Sequence, residues 1–219
     1  MSETQVTVLK SGRWLAVEAT TQACSVALFE NGALRAGDYR LLGRGHAEAL
    51  VPMIATLPDQ GRADGIVVGL GPGSFTGVRI GLAAARALGV AWGVPVLGYP
   101  TLALIAAMAQ ARAAGDVLVA TTGGHGEWFT QSFGAGGAPV SALQSQKPEE
   151  AAQNMHERVA GNEAEALVGK RGFGSATPLW PDAREVLHLP QSRFTQDLSP
   201  LYGRAPDARL PGGRLPDAA

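Results

Sequence analysis

The sequence predicts a mixed α/β fold in which an antiparallel meander runs into parallel strands fed by helical crossovers. Three observations predict it. Three β-type runs follow one another before residue 42, with the turn signal Asn31-Gly32 between the second and third. Helical and β-type runs then alternate from His46 onward. A hydrophobic content of 46% against 17% charged, over 219 residues, supplies a core for one large domain or two small ones.

Each element has a local reason. Trp14 to Ala19 is an apolar run interrupted by a single carboxylate, the pattern of a buried strand. Cys24 to Glu30 is a second strand, and Asn31-Gly32 turns it back into a third, Ala33 to Leu41, because both turn residues tolerate positive φ. His46 to Leu57 carries apolar residues at Ala47, Leu50, Val51, Ile54 and Leu57, a helical stripe interrupted by Pro52. Gly65 to Leu70 is a strand, Val78 to Trp92 an Ala-rich helix, Pro95 to Tyr99 a short strand and Thr101 to Ala114 a third helix. In the second half, Asp116 to Thr122 and Glu127 to Phe133 are expected as strands and Gly134 to Pro139 as a hairpin loop. Pro148 to Val159 is expected as a helix, Ala166 to Gly169 as a short strand and Pro181 to His188 as a short helix. The order β-β-β-α-β-α is the topology of the ribonuclease-H-like core shared by actin, Hsp70 and sugar kinases. The expected division is a subdomain over 1–100, a divergent one over 101–203 and a flexible tail over 204–219.

Composition narrows the function classes. A net charge of −1 offers no general attraction to nucleic acid, and no basic stripe is visible. One cysteine excludes an intrachain disulfide and suits a reducing cytoplasm. No apolar run reaches the length of a membrane span, and the N-terminus, with Glu3, lacks the pattern of a signal peptide.

The most informative stretch is Gly71-Pro72-Gly73-Ser74-Phe75-Thr76-Gly77-Val78-Arg79-Ile80-Gly81, between a strand and a helix. Gly71, Gly73, Ser74, Thr76 and Gly77 offer bare N–H groups and hydroxyls at a helix N-terminus, an anion site in outline. The same residues serve equally as a tight turn and a close-packing surface. It is not a Walker loop, because Gly77 is followed by Val78 and no lysine is near, and its glycines are one residue off the dinucleotide spacing.

This stretch closely resembles the signature of the TsaB (YeaZ) family, bacterial proteins needed to form threonylcarbamoyladenosine in tRNA. Leu15 to Leu28 resembles the family's first hairpin, and His46 with Leu50-Val51-Pro52-Met53-Ile54 its first-helix motif. Gly98-Tyr99-Pro100-Thr101-Leu102 and Pro200-Leu201-Tyr202-Gly203-Arg204 fit weaker signals. The good match covers about residues 13–105. The resemblance implies a non-catalytic paralogue that binds and stabilises TsaD. Those two, with the ATPase TsaE, transfer a threonylcarbamoyl group to the adenosine beside the anticodon. It also implies contact with tRNA only through the complex.

The site residues divide by role. Glu18 ends the first strand, where relatives of this fold hold a metal–nucleotide with an aspartate. The longer carboxylate reaches a hydrated Mg²⁺ with altered geometry, or it pairs locally. The family pattern Asp-Ala-Arg-x-Gly-Glu is degraded to Thr122, Gly123, Gly124, His125, Gly126 and Glu127, which argues against self-sufficient transfer and makes Glu127 structural. No two of His46, His125, His156 and His188 are four apart, so no metal-binding His-x-x-x-His pair exists. Gly77, Gly81, Ala85 and Gly89, four apart on the second helix, form a side-chain-poor stripe for another helix or for the protein's own sheet. With His46, Leu50, Val51, Met53 and Phe75, that stripe is the candidate partner interface.

No catalytic residue, metal or tightly bound cofactor is expected, with ATP and Mg²⁺ left open for the complex. The expected partners are a TsaD-like paralogue and a TsaE-like ATPase, and a homodimer through the same helices stays open. The competing reading is an ATP-dependent small-molecule kinase or carbamoyltransferase of the same superfamily, using Glu18 and the glycine loop.

Overall fold

The computed structural model describes residues 8–203. The chain builds two five-stranded sheets with the same internal order. In the first, β1 (Arg13–Glu18), β2 (Ala23–Glu30) and β3 (Ala33–Leu41) form the antiparallel meander. β4 (Gly65–Gly69) and β5 (Val96–Tyr99) continue it in parallel on the other side of β1, giving the order β3-β2-β1-β4-β5. In the second, β6 (Val117–Gly124), β7 (Glu127–Phe133) and β8 (Gln144–Gln146) repeat the meander. β9 (Arg158–Ala160) and β10 (Ser175–Thr177) repeat the parallel continuation beside β6. The expected ribonuclease-H-like fold is therefore present twice.

Strand alternation sets the layers. Leu15, Val17, Val26, Leu28, Ile66 and Val68 point to one face of the first sheet. There they meet α1 (His46–Ala55) and α2 (Phe75–Trp92). Trp14, Ala16, Ala27, Phe29 and Val67 point to the other face, into a central core shared with Val117, Val119, Phe129 and Phe133 of the second sheet. Helix α3 (Thr101–Arg112) fills that core, and every residue from Thr101 to Ala109 is buried. A helix apolar on all sides needs such a position. Leu118, Ala120, Trp128 and Val159 point outward to α4 (Pro148–Ala151) and α5 (Ala164–Arg171).

The first half matches the sequence closely. The helix His46–Ala55 runs through Pro52, and α2 begins three residues before the expected Val78, at Phe75. The second half departs from it. The helix expected over Pro148 to Val159 stops at Ala151, and its end becomes strand β9. The strand expected at Ala166 to Gly169 is the middle of α5, whose buried residues Ala164 and Leu167 are three apart and whose stop is Gly172 at φ 77°. The edge strands β8 and β10, three residues each, have no counterpart in the sequence reading. Pro181 to His188 is a 3-10 helix over Ala183–His188, capped by the Asp182 carboxylate accepting from the Arg184 N–H at 2.9 Å.

After β10 the chain returns to the first sheet. The Ala183 N–H donates to Ser25 Oγ at 2.8 Å, and Thr195 pairs with Gly98 at the edge of β5 through bonds of 2.8 and 2.9 Å. The Leu201 N–H donates to the Leu70 carbonyl at 2.8 Å. The tail expected over 204–219 lies outside the described residues.

Candidate functional site

The ends of β1 and β4 lie side by side, and Glu18 stands between them. Its side chain has no solvent exposure. Oε1 accepts from the Thr20 N–H at 2.8 Å, and Oε2 accepts from Thr101 Oγ1 at 3.4 Å. The hydroxyls of Thr20 and Thr101 are 2.9 Å apart, so Thr20 donates to Thr101 while Thr101 donates to the carboxyl. Tyr99 donates to the Val17 carbonyl at 3.1 Å just beneath. A side chain on Gly69 would overlap the Glu18 carboxyl, so the glycine is what admits the longer acid. Burial pushes the carboxyl above the usual glutamate range, against the opposing pull of bonds from Thr20, Thr101 and Tyr99. Burial likewise raises the Tyr99 phenol, helped by the charge of Glu18.

The glycine loop packs against the turn that follows Glu18. The Ser74 N–H donates to the Thr20 carbonyl at 2.6 Å, and the Thr101 N–H donates to the Gly71 carbonyl at 2.8 Å. Gly73 and Gly77 lie against the carbonyls of Thr20 and Ala19, too close for any side chain. Close approach is therefore what these two glycines do in this fold. Ser74 caps α2, its Oγ accepting from the Gly77 N–H at 3.2 Å. Ser74, Phe75 and Thr76 are exposed on the first turn, while Gly71 and Gly77 are buried.

The residues expected at a partner interface separate into two groups. Gly77, Gly81, Ala85 and Gly89 are all buried. A Cβ on Gly81 would sit 3.5 Å from Ala19 Cβ and 3.6 Å from Val68 Cγ2, and one on Gly89 would strike Val96. The stripe faces the protein's own sheet, which corrects the expectation that it meets a partner: the small residues let α2 lie close on β1, β4 and β5. His46, Leu50 and Met53 also point inward, and among the described residues the buried His46 Nε2 has no hydrogen-bond partner. Val51 and Phe75 are exposed, at 60% and 48%.

The outward face of the same two helices carries, beside the expected Val51, apolar residues that the sequence did not single out for an interface. Ala47, Val51 and Ala55 line the outside of α1, and Ala83, Ala87 and Val90 the outside of α2. Val90 is 85% exposed. The signal for them was the apolar residues left over once the glycines and alanines of the inner face are assigned to packing.

At the end of β6, Thr122 Oγ1 donates to Glu163 Oε1 at 2.6 Å, and Asn162 Nδ2 donates to Thr122 Oγ1 at 2.6 Å. The carboxylate absent at residue 122 is thus supplied there from the loop after β9. Glu127 accepts from Ser145 Oγ at 2.6 Å and ties β7 to β8, the structural role expected for it. Among the described residues no three His, Cys, Asp or Glu side chains gather as a metal site, and no helix is long and apolar enough to cross a membrane.

A family model described as "TsaD: tRNA N6-adenosine threonylcarbamoyltransferase" matches residues 40–167, more than half of the chain. A solved Pseudomonas aeruginosa protein, described as uncharacterized with similarity to peptidase YEAZ, is 30% identical with a TM-score of 0.70. That match covers 82% of this chain and 89% of that one. The chain belongs to the TsaB (YeaZ) family. YeaZ from Pseudomonas aeruginosa superposes with a TM-score of 0.68 at 28% identity, covering 81% of this chain and 89% of that one. The tRNA threonylcarbamoyladenosine biosynthesis protein TsaB of Escherichia coli is 35% identical over 127 residues, 55% of this chain and 54% of that protein. TsaB of Haemophilus influenzae is 39% identical over 102 residues, 44% and 42% of the two chains. This TsaB-family chain thus spans about half the length of the curated relatives it matches.

Proposed function

We propose that the chain is the non-catalytic subunit of an assembly that forms threonylcarbamoyladenosine in tRNA, docking on a TsaD-like catalytic paralogue through the outer face of α1 and α2. A TsaE-like ATPase completes the assembly, and tRNA contacts it through the partners. The observation that carries the reading is that outer face. Ala47, Val51 and Ala55 on one helix and Ala83, Ala87 and Val90 on the other leave small apolar side chains exposed on two helices that contact each other. Exposed apolar surface of this kind marks a protein contact. The burial of Glu18 under Thr20, Thr101 and Gly69 supports a scaffold over a kinase or carbamoyltransferase, because the carboxyl is spent inside the fold.

The test is threonylcarbamoyl transfer to tRNA by purified components, each omitted in turn. The expected result is transfer only when this chain and the TsaD-like subunit are both present. Transfer by this chain without the TsaD-like subunit, or Mg²⁺-ATP turnover by the chain alone, would support the enzyme reading instead.

A further inference from the structure

Between Asp64 and Arg112 the only charged residues are Arg79 and Arg86, both on α2. They follow the spacing Arg79, Ala83, Arg86, Val90, a single exposed stripe along the helix. Two helical turns separate the guanidinium groups at their base, about 10 Å along the axis. Among the described residues neither arginine has a carboxylate within ion-pair distance. Both are held by neutral groups of the returning chain. Arg79 lies over the Phe75 ring at 3.6 Å from its centroid and donates through Nε to the Tyr202 hydroxyl at 3.3 Å. The Phe75 and Tyr202 rings are themselves 4.8 Å apart. Arg86 donates to the Leu198 carbonyl at 3.0 Å. Each guanidinium has five donors, and these contacts engage one apiece. The arginines are therefore oriented, exposed and short of acceptors.

We infer that Arg79 and Arg86 receive carboxylates of the protein partner that docks along α2, and that residues Leu198 and Tyr202 hold them ready. The inference rests on the docking reading above and adds the chemistry of recognition: two cationic anchors set along the same exposed face as Ala83, Ala87 and Val90. Arg–carboxylate pairs are planar and bidentate, so a partner carboxylate would offer two parallel bonds to an anion where each guanidinium now donates singly to an uncharged oxygen. A protein partner fits better than nucleic acid. Two charges set among alanine and valine suit an interface rim, whereas a phosphate backbone calls for a longer basic stripe.

The experiment measures affinity for the TsaD-like subunit of the same organism by calorimetry, at low and at high salt. It uses the wild-type chain, Arg86→Gln, the double variant Arg79→Gln/Arg86→Gln, and Arg62→Gln as a surface control away from α2. Thermal unfolding checks that each is folded, and Arg86→Gln, whose one bond is to a partly exposed carbonyl, guards against misfolding of the double variant. The expected result is a wild-type affinity that weakens with salt, a loss of about tenfold or more in the double variant, a smaller loss in Arg86→Gln, and a flatter salt dependence in both. Arg62→Gln should match the wild type. Wild-type binding that ignores salt, or that the arginine variants leave unchanged, overturns this inference alone. Failure of the wild-type chain to bind overturns the docking reading as well. Loss of tRNA retention by the double variant, with affinity for the subunit intact, assigns the arginines to nucleic acid and overturns the inference.

Discussion

A carboxyl group sealed between Thr20, Thr101 and Gly69 has two consequences for Glu18. Removing it by Glu18→Ala leaves the Thr20 N–H, and one of the paired hydroxyls of Thr20 and Thr101, buried without an acceptor, at a cost of about 1–3 kcal/mol of stability. Its pKa in the fold is raised by burial above the unfolded value, so the folded chain holds that proton more tightly. The stability from this site is full below the unfolded pKa and is lost as pH rises through the folded one. Denaturant unfolding at pH values rising from the ordinary glutamate range should therefore show wild-type stability declining relative to Glu18→Gln, with the gap widening until the folded carboxyl has ionised. Parallel pH profiles for the two proteins would show that Glu18 is not the group responsible. Sequence alone places Glu18 at a strand end beside a glycine loop but does not say whether the carboxyl turns out to a ligand or in to the chain. That is decided by Gly69 and Thr101, on other elements, which no spacing in the sequence connects to residue 18.

At the scale of elements, α2 illustrates how a stripe of small residues is read. Four-residue spacing shows that Gly77, Gly81, Ala85 and Gly89 share a face; it does not show which neighbour that face meets. The contacts of Gly77 with Ala19 and of Gly81 with Ala19 and Val68 settle the matter in favour of the sheet, and they predict opposite outcomes at the two sites. Gly77→Ala drives a methyl into a backbone carbonyl and should cost about 1–3 kcal/mol. Gly81→Ala meets its neighbours at ordinary van der Waals distance and gains helix propensity, so its stability should be unchanged or higher by up to about 1 kcal/mol. Thermal unfolding of both variants checks this, and equal destabilisation would contradict the packing described. The elements up to Arg112 are legible because their runs are long and bounded by Asn31-Gly32, Gly93 and Pro100. Beyond them, α4 has four residues and β8, β9 and β10 three each, too short for a period to register. The apolar run at Leu167 and Val168 then reads as strand until Gly172 is taken as the helix stop.

Across the whole molecule, the chain passes from the first sheet to the second and comes back. The return segment fastens to β2, β5, the glycine loop and α2 through Ser25, Gly98, Leu70, Arg79 and Arg86. Phe194 also meets Tyr99 edge-on, with ring centroids 6.3 Å apart. Ending the chain after Phe194 removes several of these bonds without opening the sheets. Such a truncation should lower the melting temperature by about 5–10 °C while leaving the unfolding cooperative. An unchanged melting temperature would mean that the return segment is not part of the folded unit. The duplicated strand order is not visible as a sequence repeat, because the two sheets share topology and alternation rather than residues. What sequence does carry is the motif around Gly71 to Gly81 that identifies the family. The outward face of α1 and α2 emerges only once the inner face is filled. The central claim is that this outer face docks the TsaD-like subunit. The direct measurement is the affinity of the double variant Val51→Asp/Val90→Asp for that subunit, paired with its thermal unfolding. Both residues are largely exposed, so the account predicts a folded chain of near wild-type stability whose affinity falls at least about a hundredfold, some 2.7 kcal/mol. A folded variant that binds the subunit as tightly as the wild type would contradict it.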